Sequence, residues 1–366
     1  MRIRLEKRLT PSRFMLVATP VASVLLTMLL GAIIFELIGF DGPDAIYQTF
    51  ITPIVASYKW VDVLTKAAPL IIIALGLSLG NEAKIWNIGA EGQYIVGALM
   101  GAGVAFAIPD APGFVAIPVM IAAGVLGGMA WAAIPAVLKT RFNVSEVLST
   151  LMLVYVAMQV LNYLIGGPWK DPNGHNFPQT PPFTPSQTLP HVIPGTVVPP
   201  GFVVAIVLTL VFWVLTARSV YGFSVRTVGA APSAARYGGF DASRTVWSTL
   251  MISGGMAGLA GILEAMSQLG QINLGFPSGY GFTAIIVSFL GRLNPIGVFL
   301  AGLILAVTYV GGQVAQTVVH VPEATAGIFQ ATMLFFILAS DILVRYRVRV
   351  IRAAPSAKPA TVEASV

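Results

Sequence analysis

The chain contains no cysteine among its 366 residues, which excludes disulfides, thiolate metal sites and thiol nucleophiles together. Charge is scarce: Asp, Glu, Lys and Arg make up 10% of the residues, against roughly 25% in an ordinary soluble domain. Its three histidines, His175, His191 and His320, fall in segments read as outer loops without the carboxylate spacing of a metal site, so no metal is expected. No lysine follows a glycine, so the phosphate-cradling G-x-x-x-x-G-K-[ST] loop is missing and the chain does not hydrolyse ATP by that route. Nucleophile elbows and His-Glu zinc motifs are missing too, so no catalytic residue is assigned and no enzyme activity is expected.

What fills the chain instead is apolar. Hydrophobic residues make up 56% of it, and the mean hydropathy is +0.83. Runs long enough to cross a hydrocarbon core of roughly 30 Å as helices cover about 15–38, 63–80, 94–108, 114–138, 147–165, 201–217, 246–266, 280–291, 295–312 and 324–344. The fold class this implies is all-α: a polytopic membrane helix bundle of about ten transmembrane helices. The runs at 94–108 and 280–291 are short, and are read as broken, tilted or re-entrant helices. The first run is long and ends at Glu36 without a small-residue cleavage pattern, which marks a retained helix rather than a secretory signal.

Basic residues are distributed unevenly over these segments. With the N-terminus inside, 18 of the 21 Lys and Arg fall on the inner side, leaving Lys59, Lys66 and Lys170 outside or near the outer face. By the positive-inside rule this places a multi-pass protein in a bacterial inner membrane with both termini cytoplasmic. The division is a cytoplasmic segment 1–14, a transmembrane domain 15–345 and a cytoplasmic tail 346–366. The formal charge of +6 comes from those inner flanks, where it meets anionic lipid and partner proteins rather than nucleic acid.

Two intervals interrupt the succession of helices. Segment 166–200 holds ten of the 25 prolines, which prevents continuous helix and predicts an extracytoplasmic cap. Segment 217–245 carries four arginines and a run of helix formers starting at Pro232, a residue suited to a first helical turn, and predicts a short cytoplasmic helix. Glycines four apart, Gly97 with Gly101, Gly124 with Gly128 and Gly254 with Gly258, allow helix backbones to approach closely. The stretch NIGAEGQYIVGALMG at 87–101 weakly repeats in NLGFPSGYGFTAIIVSFLG at 273–291, as in transporters built from duplicated halves with interrupted helices.

Polar residues inside a membrane are costly and become the default site candidates. Segment 81–93 is the densest such cluster and supplies Trp86, Asn87, Glu91 and Gln93; a discontinuous helix there aims them at an internal path, whereas an ordinary inner loop leaves them solvated. A second cluster supplies Gln268, Gln271, Asn273, Tyr280 and Phe282, with Ser278 and Glu264 nearby. Amides that both donate and accept, beside aromatic faces, suit a neutral polyhydroxylated or heteroaromatic solute. The other reading of these amides is helix–helix glue.

At NEAKIWNIGAEGQYIVGALMGAG (81–103), KTRFNVSEVLSTLMLVYVA (139–157) and VGAAPSAARYGGF (228–240), the chain resembles permease subunits of bacterial ABC importers. The resemblance is to the branch related to branched-chain amino-acid and ribose permeases, and within it to nucleoside and simple-sugar permeases. It implies a coupling helix that docks on an ABC ATPase subunit, carried to Ala231, Pro232, Ser233, Ala234, Ala235, Arg236, Tyr237 and Gly238. It further implies a second, paralogous permease subunit and an extracytoplasmic substrate-binding protein. No cofactor belongs to this chain, since ATP is bound by the partner subunit. A nucleoside is the expected solute, with a simple sugar as the alternative. An ion-gradient carrier is disfavoured by the shortage of acidic residues in mid-membrane, and an assembly protein would not need the two polar clusters.

Overall fold

The computed structural model describes residues 2–7, 13–174, 177–189, 198–322 and 325–351. His175, His191, the end of the cap segment at 190–197 and the tail from 352 onward lie outside the described residues.

In chain order the elements are β1 (Arg2–Lys7), α1 (Arg13–Ile38), α2 (Gly42–Ile46), α3 (Thr52–Val55), α4 (Trp60–Glu82), α5 (Ala90–Ala107), α6 (Gly113–Phe142), α7 (Glu146–Gly166), α8 (Pro200–Arg218), α9 (Val220–Ala230), α10 (Pro232–Tyr237), α11 (Ala242–Glu264), α12 (Tyr280–Leu290), α13 (Pro295–Val318), α14 (Thr325–Arg345) and β2 (Tyr346–Ile351). Each of the ten apolar runs becomes a helix. Among the described residues seven helices are long and apolar enough to cross a membrane, namely α1, α4, α6, α7, α8, α11 and α13. This is a multi-pass membrane protein.

Local chemistry sets several helix starts. The Asp241 carboxylate accepts from the Ser243 and Arg244 N–H groups at the head of α11, and the Asn294 side chain accepts from Ile296 and Gly297 at the head of α13. Pro232 and Pro295 stand in first turns, where a missing N–H costs nothing. At the other end of α6, Asn143 takes a left-handed conformation (φ 53°) and turns the chain into α7.

The run at 280–291, read from the sequence as a broken, tilted or re-entrant helix, is short in the structure: α12 has 11 residues, roughly 16 Å at helical rise, about half a hydrocarbon core. Two features depart from the sequence reading. The interval 39–59, to which the sequence assigns no element, holds α2, α3, the π-helical turn Tyr47–Ile51 between them and a short 3₁₀ turn. The two chain ends, read as separate flanks, pair as an antiparallel ladder with Arg2 opposite Ile351 and Lys7 opposite Tyr346. That ladder puts both ends at one end of the bundle, here the basic end; the cap segment after α7 lies at the opposite, cap end.

Helix α4 is the axis of the bundle, buried from Ala67 to Gly80, with α11, α12, α13 and α8 around it. Against α11 pack α5 and α6, and here the three glycine pairs converge. A side-chain carbon on Gly97 would strike Gly258, one on Gly128 would strike Gly254, and one on Gly258 would strike the Gly124 carbonyl. Close backbone approach replaces the hydrophobic drive that lipid cannot supply. Large apolar side chains such as Leu29, Leu126, Tyr155 and Leu210 remain exposed on α1, α6, α7 and α8, the surface left for lipid.

Candidate functional site

Two interrupted helices meet inside the bundle. Helix α4 ends at Glu82 and the chain turns through Lys84 in the left-handed region (φ 59°) before α5 starts at Ala90. From the basic end, α11 runs toward the cap into the π-helical turn Ala265–Leu269; the chain reverses at Gly270 (φ 62°) and starts α12 after Gly279 (φ 75°), a conformation that a side chain would strain. The first turns of α5 and α12 then touch. The Glu91 carboxylate accepts from the Gly279 N–H at 2.9 Å and the Gly281 N–H at 2.6 Å, and Gly281 packs on the backbone of Ala90 and Glu91, leaving no room for a side chain. A helix start exposes unpaired N–H groups and the positive end of the helix dipole; fully buried Glu91 satisfies both. The weak repeat at 87–101 and 273–291 is thus two helix starts placed tip to tip.

The rest of the first polar cluster braces this joint. The Asn87 amide donates to Gln93 Oε1 at 2.8 Å and to Ser253 Oγ on α11 at 2.9 Å, while Gln93 Nε2 donates back to Asn87 Oδ1 at 3.2 Å. Both amides are buried. Trp86 sits toward the basic end, stacked on Phe289 with ring centroids 5.4 Å apart.

The second cluster divides. Gln271 Nε2 donates to Gln179 Oε1 of the cap at 3.2 Å, and Asn273 pairs with Gln179 in an isolated bridge. Backbone bonds tie the same two segments, Thr180 N–H to the Ile272 carbonyl at 2.9 Å and Phe183 N–H to the Gly270 carbonyl at 2.7 Å. Gln268 lies on the π-helical turn, with its side chain outside the described part. Phe282 is partly exposed on α12. Tyr280 turns inward, edge-on to Tyr94, which stacks on Phe276.

Beside Tyr280, toward the cap end of α4, α12, α13 and α14, lies a cavity of about 720 Å³, within the range of small-molecule sites. Its polar lining is Lys66, Ser278, Tyr309, Gln313, Gln316 and Gln330, with Tyr280 behind. The Tyr309 hydroxyl donates to the Ser278 carbonyl at 3.1 Å and lies 3.1 Å from Thr283 Oγ1, which donates to Gln330 Oε1 at 2.9 Å. No acidic side chain lines this cavity among the described residues. The Lys66 ammonium lies 3.7 Å from the nearly buried Glu264 carboxylate and 5.4 Å from the Tyr280 ring centroid.

Of the eight residues nominated by the sequence for a solute path whose side chains are described, Tyr280 alone lines the cavity. Lys66, Tyr309, Gln313, Gln316 and Gln330 were not nominated. Their signal was available: Gln313 and Gln316 stand three apart, on one face of an otherwise apolar helix. Isolated polar positions of this kind carry a weaker signal than the dense clusters at 81–93 and 264–282.

At the basic end, α10 spans Pro232–Tyr237 with Ala231 before it and Gly238 closing it. Ala235 is buried, while Tyr237 is 96% exposed. Helix α9 leads into α10, and its Gly229 lies against the backbone of Glu82 and Ala83, at the foot of the α4–α5 turn. The candidate coupling helix and the tip-to-tip joint are thus linked by continuous packing.

A family profile described as "Branched-chain amino acid transport system / permease component" matches residues 60–338. The glucose ABC transporter permease protein TsgB13 of Haloferax volcanii is 34% identical over 94% of this chain and 93% of its own. The guanosine ABC transporter permease protein NupP of Bacillus subtilis is 28% identical over 89% of this chain and 94% of its own, and the nucleoside ABC transporter permease protein NupB of Lactococcus lactis is 25% identical over 89% and 92%. No solved structure matches the chain.

Proposed function

The chain belongs to the permease-component family of branched-chain amino-acid transport systems, and from that premise we propose that it is the membrane subunit of an ATP-driven importer, forming the path for a nucleoside. The observation that carries the solute reading is the cavity wall, where amides of Gln313, Gln316 and Gln330 stand beside Tyr309 and the ring of Tyr280. Amides match the edges and hydroxyls of a nucleoside, and aromatic rings match its base. Permeases named for guanosine and nucleosides among the relatives support this choice. A simple sugar is the second reading, favoured by the 34% identity to a permease named for glucose.

In this reading the cap end is extracytoplasmic, the basic end and both termini are cytoplasmic, and the cavity faces outward. A separate ATPase docks on Ala231–Gly238, with Arg236 and exposed Tyr237 as anchors of the type that dominates interface energy. A second, paralogous permease completes the pore, and an extracytoplasmic binding protein delivers the solute to the cap. ATP shifts the bundle between outward- and inward-facing states only through its different affinity for the two.

The deciding experiment reconstitutes this chain with its ATPase, paired permease and binding protein in lipid vesicles and follows uptake of labelled guanosine, uridine and glucose. ATP-dependent uptake of a nucleoside, unaffected by excess glucose, is expected. Glucose uptake alone selects the second reading, and ATP-independent uptake by the isolated chain overturns both.

A further inference from the structure

Lys66 has no counterpart in the joint or in the coupling helix. It stands in the first third of α4, a helix otherwise buried among apolar side chains, where a lysine is expensive unless it is paired or used. Its partner Glu264, at 3.7 Å, is itself nearly buried and stands behind the wall rather than on it. The ammonium also faces the Tyr280 ring at 5.4 Å, within the range of a cation–π contact. Glu264, at 3.7 Å, engages at most one of the three donors that an ammonium carries. About a quarter of the Lys66 side chain is open to the cavity, and it is the one charged side chain on the lining among the described residues.

We infer that Lys66, balanced by Glu264, is the charge-selecting element of this cavity: it donates to a hydroxyl or carbonyl oxygen of a neutral solute, and the neutralised pair rejects ionic analogues. The inference rests on the reading of the cavity as the solute site. Removing Glu264 leaves one uncompensated cation beside the solute, and at a few ångströms in a partly desolvated site that charge outweighs ordinary contacts. Glu264→Gln leaves the ammonium on the wall, so anionic analogues gain; Lys66→Met strips the wall of charge and leaves only a buried carboxyl, which an apolar site holds neutral, so neither sign of analogue gains. The pair Lys66→Met with Glu264→Gln removes both charges and restores the balance.

The test uses the reconstituted complex and measures inhibition of uptake of the neutral solute by a neutral competitor, by an anionic one (uridine monophosphate or glucuronate) and by a cationic one (glucosamine). Glu264→Gln should strengthen the anionic competitor relative to the neutral one by at least about tenfold. Lys66→Met should give neither ionic competitor an advantage, and the double variant should return to the wild-type ranking. A purely structural tie between α4 and α11 predicts lower yield and slower uptake with the ranking unchanged in all three variants; that result overturns the inference while leaving the transporter assignment intact. If Glu264→Gln does not fold, Glu264→Ala, which also leaves the ammonium unbalanced, decides the matter. Wild-type complex that moves neither nucleosides nor sugars rejects the functional reading and this inference with it.

Discussion

The carboxylate of Glu91 on α5 accepts the Gly281 N–H of α12 at 2.6 Å, so a single side chain closes the start of a helix 190 positions further along the chain. Hydrogen bonds to a charged group are worth about 1.5–3 kcal/mol, and a buried donor left unpaired costs its desolvation. Glu91→Ala, which orphans the Gly279 and Gly281 donors, is expected to destabilise the protein by about 3 kcal/mol. Glu91→Gln, which keeps one acceptor for the two donors, should lose about half of that. Thermal unfolding of the detergent-purified protein measures both, and equal midpoints for the wild type and Glu91→Ala would refute the role.

The glycine crossing of α5, α6 and α11 predicts a second sensitivity. Gly258 faces the Gly124 carbonyl and the Gly128 backbone, and a methyl group there forces helices apart. Overpacking of this kind costs about 1–3 kcal/mol. Gly258→Ala should lower the unfolding midpoint and the folded yield on size exclusion, while Gly166→Ala, with open space around it, should change neither.

Solute contacts and scaffold separate at α13. Gln313→Leu with Gln316→Leu removes two amides from the cavity wall without disturbing the tip-to-tip joint. The half-saturation concentration for uptake should rise by about tenfold, as one or two lost hydrogen bonds require, with little shift in thermal stability. An unchanged half-saturation concentration would move the solute site elsewhere.

Arg236→Ala with Tyr237→Ala tests the coupling helix. Tyr237 is 96% exposed, so its removal leaves the bundle's own packing untouched. Solute-stimulated ATP hydrolysis should fall by about tenfold or more, and co-purification of the ATPase should weaken at unchanged stability. Full stimulation in the double variant would place the contact outside α10.

Much of this architecture is legible in the sequence because membrane burial writes long apolar runs. All ten runs are helices, and Pro232 marks the first turn of α10. The broken segment 81–93 is legible too, since a polar cluster between apolar runs has no cheap place in hydrocarbon. What Glu91 and Asn87 do there is not legible: their partners, Gly281 and Ser253, are supplied by α12 and by the middle of α11, and no local pattern reports a pairing over 166 or 190 positions. The cavity is hidden for a similar reason. Lys66, Tyr309, Gln313, Gln316 and Gln330 come from three helices, each contributing one to three polar groups to an apolar stretch. The terminal ladder escapes the reading as well, because alternating Arg2-Ile3-Arg4-Leu5 and Arg347-Val348-Arg349-Val350 look like basic membrane flanks until the two ends are brought together.

The abutting helix starts also make each part of the polypeptide dependent on the other. A chain severed within 190–197 would yield one fragment holding Glu91 without its donors and another holding Gly279 and Gly281 without their acceptor. Neither orphan is tolerable in hydrocarbon, so complementary fragments made together should reassemble, while either made alone should be degraded.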